Sequence, residues 1–97
     1  MLPTRDANDL IYAIEASKDY DPSADLETIS APVMWVNSAD DFINPPELGI
    51  AEREAPRLPH GRFVLLPISL ATHGHGTHTW AAAWKGYLAG LLSRSAP

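Results

Sequence analysis

Cysteine is missing from all 97 residues, which excludes disulfides, thiolate metal ligands and a cysteine nucleophile. Basic residues are few: seven Lys and Arg stand against twelve Asp and Glu, for a net charge of −5. A nucleic-acid or anionic-membrane partner would call for a basic face, so neither is expected. No apolar run approaches the roughly 20 residues of a membrane span. The opening MLPTRDANDL has no apolar stretch of the kind a secretory signal needs, so a cytoplasmic location is the expectation. Internal repeats and low-complexity segments are also missing. What remains is 45% hydrophobic and 20% charged, a composition suited to a packed globular chain and not to disorder. The length fits one domain and no more.

The apolar residues fall into a definite order. In RDANDLIYAIEAS, the positions Ala7, Leu10, Ile11 and Ile14 repeat at the spacing of one helix face, with Asp6 placed to cap it. A polar connector follows, and Pro22 and Pro32 limit any helix within it. Val33 to Val36 are apolar without alternation, as in a strand of a parallel sheet covered on both faces. Pro46 and Glu47 suit the first turn of a helix running to about Ala55, since proline is tolerated where the amide has no helical partner. Phe63 to Leu66 repeat the unalternated pattern. From about Thr79 to Ser93, Trp80, Trp84, Tyr87, Leu88, Leu91 and Leu92 form one stripe of a last helix, which assigns both tryptophans to packing.

Helix, strand, helix, strand, helix is α/β architecture, with the two strands in a parallel βαβ unit. Two strands alone are both edges, and a two-stranded sheet is marginal in water. The expectation is therefore a single partial domain over residues 1–97, the end of a larger sheet. Its earlier strands lie outside this chain, and a partner chain is one way to supply them.

Chemistry concentrates at the strand ends, where open parallel sheets collect their sites. After the first strand comes NSADDFINPP, with the adjacent carboxylates Asp40 and Asp41; after the second comes SLATHGHGTHT, with His73, His75 and His78. Neighbouring strands lie about 4.8 Å apart, so the two loops can meet. A carboxylate there can accept the imidazole Nδ1–H, fix the tautomer and stabilise the imidazolium formed when Nε2 takes a nucleophile's proton. A simpler role for either aspartate is a carboxylate at a helix N-terminus, and Asp40 fits that role better than Asp41. His60, in LPHGR, is expected in a turn, and Asp19, Tyr20 and Asp21 in a solvated one.

These residues resemble a known family. DDFINPPEL is similar to the acid loop of the homoserine O-acetyltransferase-like group of the α/β-hydrolase superfamily, in which an Asp is followed four residues on by Pro; the match selects Asp41 with Pro45. GHGTHT resembles that group's histidine loop and selects His75. RDANDLIY and DYDP are similar to the stretch that precedes the acid strand. The resemblance implies the C-terminal βαβα part of such a sheet, with Asp41 and His75 as two members of a Ser-Asp-His triad, in the chain order those enzymes use. It implies acyl transfer or hydrolysis of a small-molecule ester or acyl substrate, no bound cofactor, and acetyl-CoA as a possible donor. Gly76 stands where those acetyltransferases carry an acidic residue, which points away from homoserine as acceptor. No serine of the chain lies in a G-x-S-x-G elbow, so the nucleophile is expected outside these residues and the chain alone is expected to be inactive.

Two alternatives accompany this reading. One is a non-enzymatic remnant that folds only against a partner. The other is a metal-dependent hydrolase using His73, His75 and His78, because THGHGTH resembles the T-H-x-H-x-D-H signature of the metallo-β-lactamase fold. Thr77 fills the acidic position of that signature, and no His, Asp, Glu or Cys follows His78.

Overall fold

A computed structural model describes residues 6–96. Helix α1 spans Ala7–Glu15, and Asp6 caps it as its sequence suggests, its side chain accepting from the Asn8 amide at 2.8 Å. The connector forms a 3₁₀ segment, Pro22–Thr28, capped by Asp21. Strand β1 is Val33–Ser38 and strand β2 is Gly61–Leu66. Between them the short helix α2 covers Ile50–Glu54, and helix α3, Ala81–Ser95, closes the chain. No helix among the described residues is long and apolar enough to cross a membrane.

The two strands pair in parallel, with Val33 opposite Gly61 and Ser38 opposite Leu66. The ladder is bracketed by Val33 N–H donating to the His60 carbonyl (3.0 Å) and Ala39 N–H donating to that of Leu66 (2.9 Å). In a parallel ladder every second residue faces the partner. The amides of Trp35 and Asn37 therefore point toward β2, and those of Met34, Val36 and Ser38 toward an open edge. Trp35 and Phe63, register partners, meet edge to face with centroids 6.0 Å apart, a favoured aromatic geometry.

Three expectations need correction. The helix from Pro46 to about Ala55 is broken: Pro46–Leu48 is a 3₁₀ turn, α2 begins only at Ile50, and Ala55–Arg57 is again 3₁₀. Gly49 at φ +66 causes the break, since a left-handed residue ends one helical run before the next starts. The last helix starts at Ala81, with Thr79 in a 3₁₀ turn and Trp80 at the cap. Its stripe is only partly covered: Trp84, Tyr87 and Leu91 are half-buried, whereas Trp80, Leu88 and Leu92 are exposed. Burial of both strand faces is also not met, because Val33 to Asn37 are half-buried and Leu65 is exposed. Helix α3 packs on β1, but the described residues offer no further strand.

The buried apolar residues are Ala55 and Leu58, beside the turn that feeds β2, and Leu66 at the far end of that strand. Leu58 lies so near Gly61 that a Cβ there would come within 2.4 Å of it, so this turn requires glycine. Arg57 ties the connector to the same region, pairing with Glu27 and Glu54 and donating to the Ser23 carbonyl.

Candidate active site

The remaining buried residues are polar, and all three stand at the carboxyl ends of the strands: Ser38, Asp41 and Thr77. Such groups stay dry only when hydrogen-bonded, and each of these is. Asp41 directly follows the tight turn after β1, its amide donating to the Ser38 carbonyl. Its Oδ1 accepts from the amides of Ile43 (2.8 Å) and Asn44 (3.0 Å), which pins the carboxylate from below.

The same carboxylate faces His75. Nδ1 lies 3.2 Å from Oδ1 and 3.1 Å from Oδ2. The two residues are 34 apart in sequence, and the parallel pairing of β1 and β2 brings them together. Asp41 is 5% exposed and the His75 side chain 42%, so one partner is fixed in the protein and the other reaches solvent. Burial opposes ionisation of Asp41, but the Asn44 amide, the His75 ring and the Ile43 amide outweigh it and hold the carboxyl below its ordinary value of 3.8. An ionised carboxylate on Nδ1 places the ring proton there and leaves Nε2 with its lone pair. Among the described residues no group hydrogen-bonds Nε2.

The histidine loop is built by Thr77 and Gly74. Gly74 adopts φ +58, which lets the chain reverse between His73 and His75. Thr77 Oγ1 accepts from the His73 amide at 2.8 Å and donates to the Gly74 carbonyl at 2.7 Å, closing the reversal on itself. His78 Nδ1–H donates to the His75 carbonyl at 2.6 Å, and the Trp84 indole N–H donates to the His78 carbonyl at 3.1 Å. His73 stacks on Trp80, centroids 4.0 Å apart. Two histidines thus shape the loop and a third meets the carboxylate.

The same geometry bears on the metal alternative. The described residues contain no group of three His, Cys, Asp or Glu side chains placed to hold a metal ion. His73, His75 and His78 are turned to a tryptophan face, a carboxylate and a carbonyl respectively, with the His75 and His78 rings 5.2 Å apart. Neither aspartate stands at a helix N-terminus: Asp41 takes the amides of Ile43 and Asn44 in the bend that follows it, while Asp40 turns toward Ser38 and Thr72. Ser38, the serine nearest the dyad along the chain, gives its hydroxyl to Asp40 and is not a nucleophile for His75. His60 occupies a turn, as expected, and Tyr20 is exposed.

Beside the dyad runs a groove of about 770 Å³. It is lined by β1 from Met34 to Ser38, by Trp84, Leu88 and Leu91 of α3, and by Pro45, Pro46, Leu48 and Ile50. Asp41 and His75 stand in its lining. Sequence reasoning located both of them. It missed Thr72 and Thr77, whose only signal was small hydroxyl residues flanking a His-Gly-His run, and Ser38, which carried no signal beyond its place at the end of an apolar run. Neither a family model, nor a curated protein, nor a solved structure matches this chain.

Proposed function

We propose that this chain carries the acid-base half of a serine acyltransferase or hydrolase of the α/β-hydrolase type, as its C-terminal βαβα segment. The observation that carries the reading is the contact between Asp41 and His75: Nδ1 held at 3.1 Å by a buried carboxylate, and Nε2 without a hydrogen-bond partner among the described residues. The order Asp then His on consecutive strands and the similarity to the homoserine O-acetyltransferase-like group support it.

In this reading a serine hydroxyl from polypeptide outside these residues attacks the carbonyl carbon of an ester or other acyl donor. Its proton moves to Nε2 of His75, and Asp41 stabilises the imidazolium. The carbonyl oxygen takes up the negative charge. As the intermediate collapses, the bond to the leaving group breaks and that group takes the proton from Nε2. Water or an acceptor alcohol then attacks the acyl-serine by the same path, with His75 again as base and then acid. Acetyl-CoA as donor follows from the resemblance alone. The completing polypeptide docks along the groove beside β1, whose Met34, Val36 and Ser38 amides face an unpaired edge between apolar walls.

The chain alone, having no activated serine, is predicted to hydrolyse p-nitrophenyl acetate no faster than free imidazole at equal concentration. Turnover above that level by the purified chain, lost on His75→Ala, would contradict the division of the site between polypeptides.

A second reading, a non-catalytic segment that folds only against a partner, is favoured by one observation: just three apolar residues are buried among those described. It differs in what completion yields. A completed assembly with a folded site and no acyl-enzyme chemistry belongs to the second reading.

A further inference from the structure

Asp40 stands beside the dyad but takes no part in it. One carboxylate oxygen accepts from the hydroxyl of Ser38, a residue 2% exposed at the end of β1. The other accepts from the Thr72 hydroxyl at 3.0 Å, a residue 32 positions away at the start of the histidine loop. Thr72 Oγ1 also lies 3.0 Å from the Ser69 carbonyl. It has one proton to give, and an ionised carboxylate is the stronger acceptor. Thr72 Oγ1 in turn accepts from the Ser69 amide at 3.0 Å. The backbones run close at the same place, since a Cβ on Gly74 would lie 3.4 Å from the Asp40 carbonyl oxygen. The Ser38 hydroxyl, and after it the Gly74 amide and the Thr72 hydroxyl, hold the Asp40 carboxyl below its ordinary value of 3.8, against a smaller opposing effect of burial.

We propose that Asp40 is a positioning residue: its carboxylate clamps the end of β1 to the histidine loop and thereby sets where the His75 ring stands against Asp41. The proposal rests on Asp41 and His75 being a working pair. The physical reason is that His75 is half in solvent and reaches Asp41 from a loop of small residues, so its own side chain cannot define the distance. Asp41 is anchored to its own turn. The remaining variable is the separation of the two loops, and among the described side chains the Ser38–Asp40–Thr72 bridge spans it independently of the dyad. A misplacement of about 1 Å at a reacting group can cost on the order of 100-fold in rate, which is why a bridge outside the chemistry matters to it.

The test reads the His75 tautomer by long-range ¹H–¹⁵N NMR on the whole chain, in the cold, well above the ordinary imidazole value of about 6.5. Asp41→Asn is the reference variant. The expected result is that Asp40→Asn and Thr72→Val each lower the ratio of Nδ1–H to Nε2–H at His75 several-fold. Thr72→Ser, which keeps the hydroxyl, should retain the wild-type ratio. Wild-type ratios in Asp40→Asn and Thr72→Val, alongside a lowered ratio in Asp41→Asn, would overturn the clamp and leave the dyad standing. An unchanged ratio in Asp41→Asn as well would show that the underlying pair fails, and the clamp with it. If circular dichroism shows Asp40→Asn unfolded, the Thr72→Val and Thr72→Ser pair decides the matter by the same criterion.

Discussion

At the scale of single residues, the site depends on charge placed by backbone amides. The ionised form of Asp41 is favoured by the Asn44 and Ile43 amides and by His75. A carboxyl whose native value is depressed contributes stability that is complete above the unfolded value of 3.8 and is lost as pH falls through the lower native value. Asp41→Asn should therefore flatten the loss of stability on acidification, measured by urea unfolding at a series of acidic pH values. A variant that keeps the wild-type acid slope would show that Asp41 does not carry it. Thr77 makes a separate demand. Thr77→Val removes a buried hydroxyl, the acceptor of the His73 amide, a loss of about 1 kcal/mol, whereas Thr77→Ser should be close to neutral by the same unfolding measurement. Asp41 and His75 were legible in the sequence because motif spacing and chain order survive without coordinates. Thr77 was not, since its bonds to the backbone depend on a reversal at Gly74 that no periodicity announces, and Ser38 was not, since its bond to Asp40 depends on the turn that ends β1.

The elements show where pattern and environment part. Both strands, their parallel pairing and the cap of α1 could be read from apolar runs and one aspartate. The unalternated runs also led to an expectation of burial on both faces, which the described residues do not meet, because apolar composition reports what a face could bury and not whether anything covers it. The helix after β1 was misread as continuous because Gly49 in a helical pattern is tolerated as often as it breaks one, and only its positive φ decides. The open edge of β1 makes a direct prediction. Amides of Met34 and Val36 should exchange with solvent orders of magnitude faster than those of Trp35 and Asn37, which face β2. Equal protection of all four by hydrogen-exchange NMR would mean that the edge is already paired.

For the molecule as a whole, surface area tells the same story. The chain exposes 7495 Å², whereas a self-contained protein of 10.5 kDa exposes about 5,400 Å². Its radius of gyration is 16.3 Å against about 13 Å for a compact domain of about 100 residues. Helix α1 adds to the excess, with Leu10 and Ile14 each more than 60% exposed on the face that its pattern marks for burial. The difference, on the order of 2,000 Å² on one chain, exceeds the roughly 800 Å² per partner of a standard interface and matches the larger, obligate class. The isolated chain should accordingly melt early and with low cooperativity by circular dichroism, and sharply if the proposed completing polypeptide is bound; a sharp, high-temperature transition of the chain alone would contradict the proposal that it is completed by another polypeptide. The most direct test of the central claim uses that completed assembly, isolated on this chain from the cells that make it and treated with a fluorophosphonate that tags activated serines. The account predicts a labelled serine on the completing polypeptide, with labelling lost in assemblies carrying Asp41→Asn or His75→Gln. An assembly with no labelled serine, or one labelled equally with either variant, would contradict it.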